Sequence, residues 1–223
     1  MTQVSSDSLW NKFLGSPQVF KPSRPILDNW RKGRERYAVW MLPLNHPLIE
    51  KRIQFVNQTL SPHIKIHPVT KPHITLFALG FPSTEIIYND DFDTAIIKQQ
   101  VDFLSELQLK PISLKISSAT SLLTGPALEL EDLSNQIPKI RQVLNRTKNE
   151  IRFSSFSPHI TTGHYLEAKA PKDFAFAFET LRSLKPITIT TDKIELISFS
   201  SRPYSDEIAI CPEDYETMAS LKL

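Results

Sequence analysis

The chain has little cysteine, no long apolar segment and almost no excess charge. Its 223 residues include one cysteine, Cys211, which excludes an internal disulfide framework and a structural zinc site built on cysteines. A single thiol suits a reducing compartment, so we expect a cytoplasmic protein. No apolar run approaches the length of a membrane span, and residues 1–20 lack the basic start and apolar core of a signal peptide. We therefore expect no membrane association.

The charge balance also limits what the chain can be. The net charge is +2, from 26 basic and 24 acidic residues. This permits nucleic-acid binding without arguing for it, because dedicated nucleic-acid-binding domains usually carry a stronger basic excess. Two local groups of basic residues offer a path for an RNA backbone or form ordinary solvated faces. They are Arg31, Lys32, Arg34 and Arg36 in one group and Lys139, Arg141, Arg146, Lys148 and Arg152 in the other.

One four-residue phrase, Pro-His-Ile-Thr, occurs twice, at residues 72–75 and 158–161. Side chains alternate between the two faces of a strand, so the His and Thr of each copy share one face and the Ile points to the other. Two such strands side by side would present two imidazoles and two hydroxyls to one small ligand. This set suits a phosphoester, because one histidine can accept a proton from the nucleophile while the other donates one to the leaving oxygen.

With these two His-x-Thr segments and their spacing, the chain resembles the 2H phosphoesterase superfamily, which includes RNA 2′,3′-cyclic phosphodiesterases, also described as 2′-5′ RNA ligase-like. The resemblance covers roughly residues 37–211. It implies an α+β fold of two pseudo-symmetric lobes, each an antiparallel sheet with flanking helices, facing each other across a central cleft. It also implies that His73 and His159 are the acid–base pair and that Thr75 and Thr161 hold the phosphate.

The hydrophobic pattern is consistent with this organisation. Residues 1–36 hold several prolines with little periodicity, and we interpret them as a partly irregular N-terminal arm with one short helix. Residues 37–223 form a single bilobal domain, in which the order helix, motif strand, helix, strands appears twice. The predicted helices are 48–60, 93–107, one from near Pro138 to Leu144, and 174–184. The predicted strands are 37–42, 73–79, 112–118, 126–131, 159–165, 187–191, 193–200 and 206–210.

Further residues are candidates for substrate contacts. Tyr37, Trp40 and Tyr204 could stack on a base, which is the usual way that single-stranded RNA ends are held. Tyr204 is the best placed of them, because it lies in a loop between the last two predicted strands. Arg202 in that loop and Lys71 before the first motif could pair with a phosphate. The other candidate rings are Phe77, Phe156 and Tyr165.

Three other histidines have weaker claims to a function. His63 and His67 are four residues apart and could share a helix face as metal ligands. Pro62 and Pro68 flank them, however, and no companion ligands lie nearby, so we expect no metal site. His164 lies five residues after the second motif histidine, which places it on the opposite strand face and predicts a structural role.

Together these observations predict a metal-independent phosphodiesterase without a cofactor. Its ligand would be RNA or a nucleotide with a cyclic or 2′-linked phosphate, its leading reaction hydrolysis of a 2′,3′-cyclic phosphate, and its state a monomer. The alternatives are a 2′,5′-oligoadenylate or RNA 3′-end phosphodiesterase, a non-catalytic RNA-end binding module, and a zinc protein using His63 and His67. The pattern leaves open which histidine is the acid and which the base.

Overall fold

The computed structural model of the chain describes residues 6–21, 23–150, 156–203 and 214–223. The helices are α1 (Ser6–Leu14), α2 (Arg24–Arg31), α3 (Pro47–Leu60), α4 (Ala95–Glu106) and α5 (Ile137–Leu144), with short 3-10 helices at Pro171–Asp173, Ala175–Phe178 and Leu181–Ser183. The strands are β1 (Arg36–Pro43), β2 (Ile66–Pro68), β3 (His73–Pro82), β4 (Asp91–Phe92), β5 (Ile112–Leu122), β6 (Gly125–Asp132), β7 (His159–Thr161), β8 (Gly163–Tyr165), β9 (Ile187–Thr191), β10 (Lys193–Ser200) and β11 (Tyr215–Lys222). Within these ranges, no helix is long and apolar enough to cross a membrane.

Two separate sheets each carry one His-x-Thr segment. The first has the strand order β11-β10-β1-β3-β4 and is antiparallel except where β4 joins β3 in parallel. The second has the order β7-β6-β5-β9 and is antiparallel throughout. A short ribbon of β2 and β8 completes the strand pairing of the described residues. The α+β class and the two-sheet arrangement predicted from the sequence are thus confirmed.

The two motif strands arise from the same local arrangement. In the first lobe, β1 leads through α3 and β2 to β3, which returns antiparallel beside β1. In the second lobe, β6 leads through α5 to β7, which returns antiparallel beside β6. Each His-x-Thr therefore sits on a strand whose neighbour is the strand that began the unit. This equivalence is the physical basis of the pseudo-symmetry that the duplicated phrase indicated.

The hydrophobic core receives the motif isoleucines and part of the N-terminal segment. Ile74 and Ile160 are fully buried, on the faces that alternation predicts. Phe13 of α1 and Val19 after it are fully buried in the same core. The Val19 amide also donates to the Lys169 carbonyl at 2.9 Å. Burial of a phenylalanine side chain is worth roughly 1.5–3 kcal/mol, so this segment contributes to the stability of the fold.

Two predicted features differ in the structure. The expected helix over 174–184 is instead a pair of 3-10 turns, with a third 3-10 turn before them, although Phe174, Phe178 and Leu181 are buried at the predicted spacing. Pro186 follows closely and disfavours α-helical backbone in the residue before it, and short connectors often adopt 3-10 geometry. In the N-terminal segment, α2 was not predicted. It begins with proline in its first turn, where the missing N–H costs nothing.

The C-terminal strand also differs from the prediction. The strand expected at 206–210 lies outside the described residues. β11 was not predicted, because its side chains do not alternate between buried and exposed positions. It is held instead by an antiparallel ladder to β10 that runs from Lys193 opposite Lys222 to Phe199 opposite Tyr215.

A buried ion pair covers part of the outer edge of β3. Arg141 of α5 bonds Glu150 at 2.6 Å, and both side chains are almost fully buried. Arg141 also donates to the Leu76 carbonyl, and Glu150 accepts from the Ala78 amide at 2.8 Å. The guanidinium further stacks over the Phe156 ring, 3.7 Å from its centroid. The pair belongs to the second lobe and satisfies backbone groups of the first, so it joins the two lobes next to the first motif.

Candidate active site

The two His-x-Thr segments present their polar side chains in the same way. In each, the proline and the isoleucine are buried, whereas the histidine and the threonine are partly exposed. His73 and Thr75 thus share one face of β3, and His159 and Thr161 share one face of β7, as the two-residue period of a strand requires. Strands β3 and β7 contact each other without forming a ladder, so the two sheets meet at the motifs.

The two imidazoles are held in the same orientation. His73 Nδ1 lies 3.0 Å from the Lys71 carbonyl oxygen, and His159 Nδ1 lies 2.8 Å from the Ser157 carbonyl oxygen. A carbonyl oxygen can only accept, so Nδ1 carries the hydrogen in both rings. Nε2 is therefore the nitrogen of each neutral ring that can accept a proton. In both rings Nε2 is thus the atom that can exchange a proton with a bound phosphate ester.

Electrostatics favour the neutral form of both rings. Burial lowers the pKa of His73 below its ordinary value of 6.5, and the positive charge of His159 lowers it further. Burial likewise lowers the pKa of His159, against the bond to the Ser157 carbonyl, which raises it. In the free protein near pH 7 both rings are therefore neutral.

A buried asparagine fixes the backbone after the second motif. Asn57 of α3 donates from Nδ2 to the Thr162 carbonyl oxygen at 2.8 Å, and the Thr162 amide donates to the Pro126 carbonyl at 2.9 Å. These bonds hold the break between β7 and β8, one residue past Thr161. Sequence reasoning missed Asn57. The available signal was a polar residue on the apolar face of the predicted helix over 48–60.

The comparison with protein families decides the assignment. The family model for the 2′-5′ RNA ligase superfamily matches residues 46–203 and so includes both motifs. The chain belongs to this superfamily. The predicted resemblance to the 2H phosphoesterases is thereby confirmed, and membership supports a function of the phosphodiesterase type.

Solved structures show the same fold. E. coli LigT complexed with 3′-AMP has a TM-score of 0.56 and 14% identity, covering 85% of this chain and 98% of that chain. LigT complexed with NADP+ has a TM-score of 0.54 and 16% identity, covering 85% and 98%. TT0787 of Thermus thermophilus has a TM-score of 0.54 and 10% identity, covering 84% and 97%. Comparison with curated protein sequences finds no match.

In this member of the 2′-5′ RNA ligase superfamily, His164 lies on β8, the strand that follows the second motif. It pairs with His67 across the β2–β8 ribbon. Burial, with smaller contributions from the charges of His67 and His73, lowers its pKa to about 4. The alternation that predicts His164 on the opposite face assumes one continuous strand, whereas the structure has two strands, β7 and β8, separated at Thr162. A structural role for His164 stays a prediction. Among the described residues, no cluster of three metal-ligating side chains occurs.

The structure corrects the aromatic candidates. Trp40 is fully buried and donates from Nε1 to Gln100 at 2.7 Å, so its ring serves the core. Tyr37 is 2% exposed and packs between the rings of Trp30 and Phe81. Neither ring is presented to a ligand, since both belong to the hydrophobic interior. Phe77 and Tyr165 are buried as well, Phe156 lies under the Arg141 guanidinium, and Tyr204 lies outside the described residues.

The basic candidates are only partly available. Arg202 is exposed and forms an ion pair with Glu35. The Lys71 ammonium lies 4.4 Å from the centroid of the Tyr215 ring. Both stay candidates for a phosphate contact. In the two basic groups of the sequence, Arg34 is bound by Asp90 and Asp91, and Arg141 by Glu150, so these two arginines support the fold.

Proposed function

We propose that the protein is a metal-independent phosphodiesterase that hydrolyses a 2′,3′-cyclic phosphate at an RNA end or on a nucleotide. The supporting observation is the matched pair of imidazoles. His73 and His159 occupy equivalent positions on β3 and β7, and each is bonded through Nδ1 to the carbonyl two residues before it. Each Nε2 is then free to exchange a proton with a ligand.

The reaction needs one proton moved on each side of the phosphorus. The oxygen of a water molecule attacks phosphorus in line with the bond to one ribose oxygen, while the neutral histidine takes a proton from that water at Nε2. The phosphorus–oxygen bond to the ribose breaks, and the second histidine, protonated, donates its Nε2 proton to the departing oxygen. The product is an acyclic phosphomonoester with a free neighbouring hydroxyl. Each proton transfer contributes on the order of 10²–10⁴-fold.

The threonines complete the phosphate site. Thr75 and Thr161 lie two residues along from the histidines on the same strand faces. Their hydroxyl groups donate to the non-bridging phosphate oxygens, where negative charge grows in the transition state. Exposed Arg202 and Lys71 are the proposed further contacts to the anionic ligand. A bound phosphate also favours the positive form of a nearby histidine, which supplies the general acid although both rings are neutral in the free protein.

The ligand class is supported by the solved relatives. LigT has been crystallised with 3′-AMP, with ATP and with NADP+, and we propose a nucleotide or an RNA end for this chain as well. The same four side chains would serve a 2′,5′-oligoadenylate or an RNA 3′-end phosphodiesterase, so only substrate comparison separates these reactions.

The test is turnover of three substrates in the presence of EDTA. Purified protein is incubated with adenosine 2′,3′-cyclic phosphate, with a short RNA ending in that group, and with 2′,5′-linked triadenylate. His73→Ala and His159→Ala are the site variants, and His63→Ala, on the turn after α3, is the matched control. We expect turnover of a cyclic phosphate that survives EDTA and the control and is lost in both site variants.

Other outcomes decide between the alternatives. Turnover of the triadenylate alone would assign the 2′,5′-linked branch. Tight RNA binding without turnover, unchanged in both site variants, would assign a binding module and refute the enzyme. Activity that EDTA abolishes would refute the metal-independent mechanism.

A further inference from the structure

Two buried oxygen atoms near the second motif have no protein partner. Among the described residues, the buried side-chain polar atoms that make no hydrogen bond are Thr120 Oγ1 and Glu129 Oε1. The other carboxylate oxygen of Glu129 accepts from the Ser118 hydroxyl. A buried polar atom without a partner costs roughly 1–3 kcal/mol, so such atoms are rare in the interior and mark places where a ligand or water can complete them.

The strand register places both atoms beside the candidate active site. Glu129 of β6 lies directly opposite His159 of β7, and Ala127 lies directly opposite Thr161. Thr120 of β5 lies opposite Ala127 on the other side of β6. Residues opposite each other in an antiparallel ladder point to the same face. Thr120 and Glu129 therefore share the sheet face that carries the second His-x-Thr.

The two residues are also close to each other. Thr120 is opposite Ala127, and Glu129 is two residues further along the same strand. Such diagonal neighbours have Cα atoms about 7–8 Å apart, which one small group between the two side chains can bridge. We name Ser118, Thr120 and Glu129 the polar cluster.

In the first lobe, no carboxylate lies directly opposite the His-x-Thr residues in the strand pairing of the described residues. Pro43 of β1 lies opposite His73, and Met41 lies opposite Thr75. The carboxylates of the two lobes thus differ in position. Glu129 lies directly opposite the histidine of its motif, whereas Glu195 of β10 lies one strand further from the first motif, opposite Met41, and is paired with Lys193. Because the two sides of a phosphoester also differ chemically, an asymmetric site can fix which way round the ligand binds.

The chemistry of Thr120 Oγ1 and Glu129 Oε1 limits which ligand group can hydrogen-bond to both. An ionised carboxylate oxygen needs a donor, so a phosphate or a second carboxylate is excluded. The Thr120 hydroxyl needs an acceptor for its hydrogen. A hydroxyl group meets both needs at once, because it donates to Glu129 and accepts from Thr120, whereas an amino group leaves the threonine hydrogen without an acceptor.

We propose that Thr120 and Glu129 form a subsite for a free ribose hydroxyl next to the phosphate held by the two motifs. The inference rests on the proposed function and deepens it. A 2′-phosphate with a free 3′-hydroxyl, which is the product of cyclic phosphate hydrolysis or the linkage of a 2′,5′-oligonucleotide, fits such a subsite. The polar cluster then selects ligands in which the hydroxyl beside the phosphate is unmodified.

The test compares two nucleotides that differ by one oxygen. Binding of adenosine 2′-monophosphate and of 3′-deoxyadenosine 2′-monophosphate is measured by calorimetry with the wild-type protein. We expect removal of the hydroxyl to weaken binding about tenfold or more, as for a hydrogen bond to a charged group. Thr120→Val and Glu129→Gln should reduce this ratio to below about threefold, mainly by weakening the hydroxyl-bearing ligand. Glu131→Gln, an exposed position on the same strand, should keep the ratio.

The outcomes separate this proposal from the function on which it rests. Equal affinity of the wild-type protein for the two nucleotides, with cyclic phosphate turnover intact, would overturn the subsite alone. Water, and not a ligand hydroxyl, would then bind to the polar cluster. A ratio that survives both cluster variants would overturn it as well. Absence of binding together with absence of turnover would overturn the phosphodiesterase and the subsite with it. Thr120→Val should fold as well as wild type, since it removes no hydrogen bond.

Discussion

The partly buried imidazole of His164 makes the stability of the fold depend on pH. Its pKa is lowered from 6.5 to about 4, chiefly by burial. The unfolded chain therefore binds a proton as the pH falls through 6.5, whereas the folded protein does so only near 4. The unfolded state holds more protons in this interval, so stability is present above pH 6.5 and is lost as the pH falls toward 4.

The size of this effect follows from the two pKa values. Linkage gives a loss of roughly 3 kcal/mol once the pH is below the folded value, and about 2.5 kcal/mol at pH 4.5. This is a large share of the free energy of unfolding of an ordinary domain, which is about 5–15 kcal/mol. The histidines of the two motifs, whose pKa values are also lowered, shift stability in the same direction.

The assay is urea unfolding of wild type and His164→Gln at pH 7.5 and pH 4.5. We expect wild type to lose about 2.5 kcal/mol more than the variant between the two pH values. The effect of the substitution at pH 7.5 cancels in this comparison. His63→Gln, on the turn after α3, serves as a control histidine and should behave as wild type. An equal loss in wild type and His164→Gln would refute the lowered pKa of His164.

Three further predictions concern the site and its support. Because the pKa values of both motif histidines lie below 6.5 in the free protein, kcat/KM for a cyclic phosphate should peak below pH 6.5 and fall toward pH 8; an optimum above pH 7.5 would contradict this. Arg141→Met leaves Glu150 charged and buried, and should lower the free energy of unfolding by about 3–5 kcal/mol in denaturant titration; a loss below about 1 kcal/mol would contradict it. Asn57→Ala should cost about 1–3 kcal/mol and lower kcat, whereas its exposed neighbour Gln58→Ala should change neither.

Local patterns predicted the parts of the site that depend on strand alternation. The two-residue period alone places His73 with Thr75 and Ile74 opposite to them, and the structure has that arrangement. The strands at 187–191 and 193–200 match β9 and β10 in both bounds, because each carries β-branched residues. The sequence could not show Thr120 and Glu129, since their place beside the second motif depends on strand register. Register is set by long-range pairing.

The features that local patterns missed have the same physical origin. The position of His164 depends on one break in a strand, at Thr162, which a hydrogen bond from Asn57 stabilises across more than a hundred positions of sequence. The burial of Tyr37 and Trp40 depends on what packs over them, from Trp30 and Gln100. Neither the strand break nor the burial of these two rings can be read from an isolated segment, because tertiary contacts determine both.

The ion pair of Arg141 and Glu150 has a consequence for the architecture of the whole molecule. An exposed strand edge readily adds another strand. β7 is the edge of its sheet, and β4 covers the outer side of β3 only at Phe81 and Pro82. If β3 and β7 formed a ladder with each other, the two sheets would merge into one continuous sheet. Arg141 and Glu150 occupy a carbonyl and an amide of β3 that such a ladder would use. The pair thus satisfies this part of the edge in place of a strand, so it links the two lobes without merging their sheets.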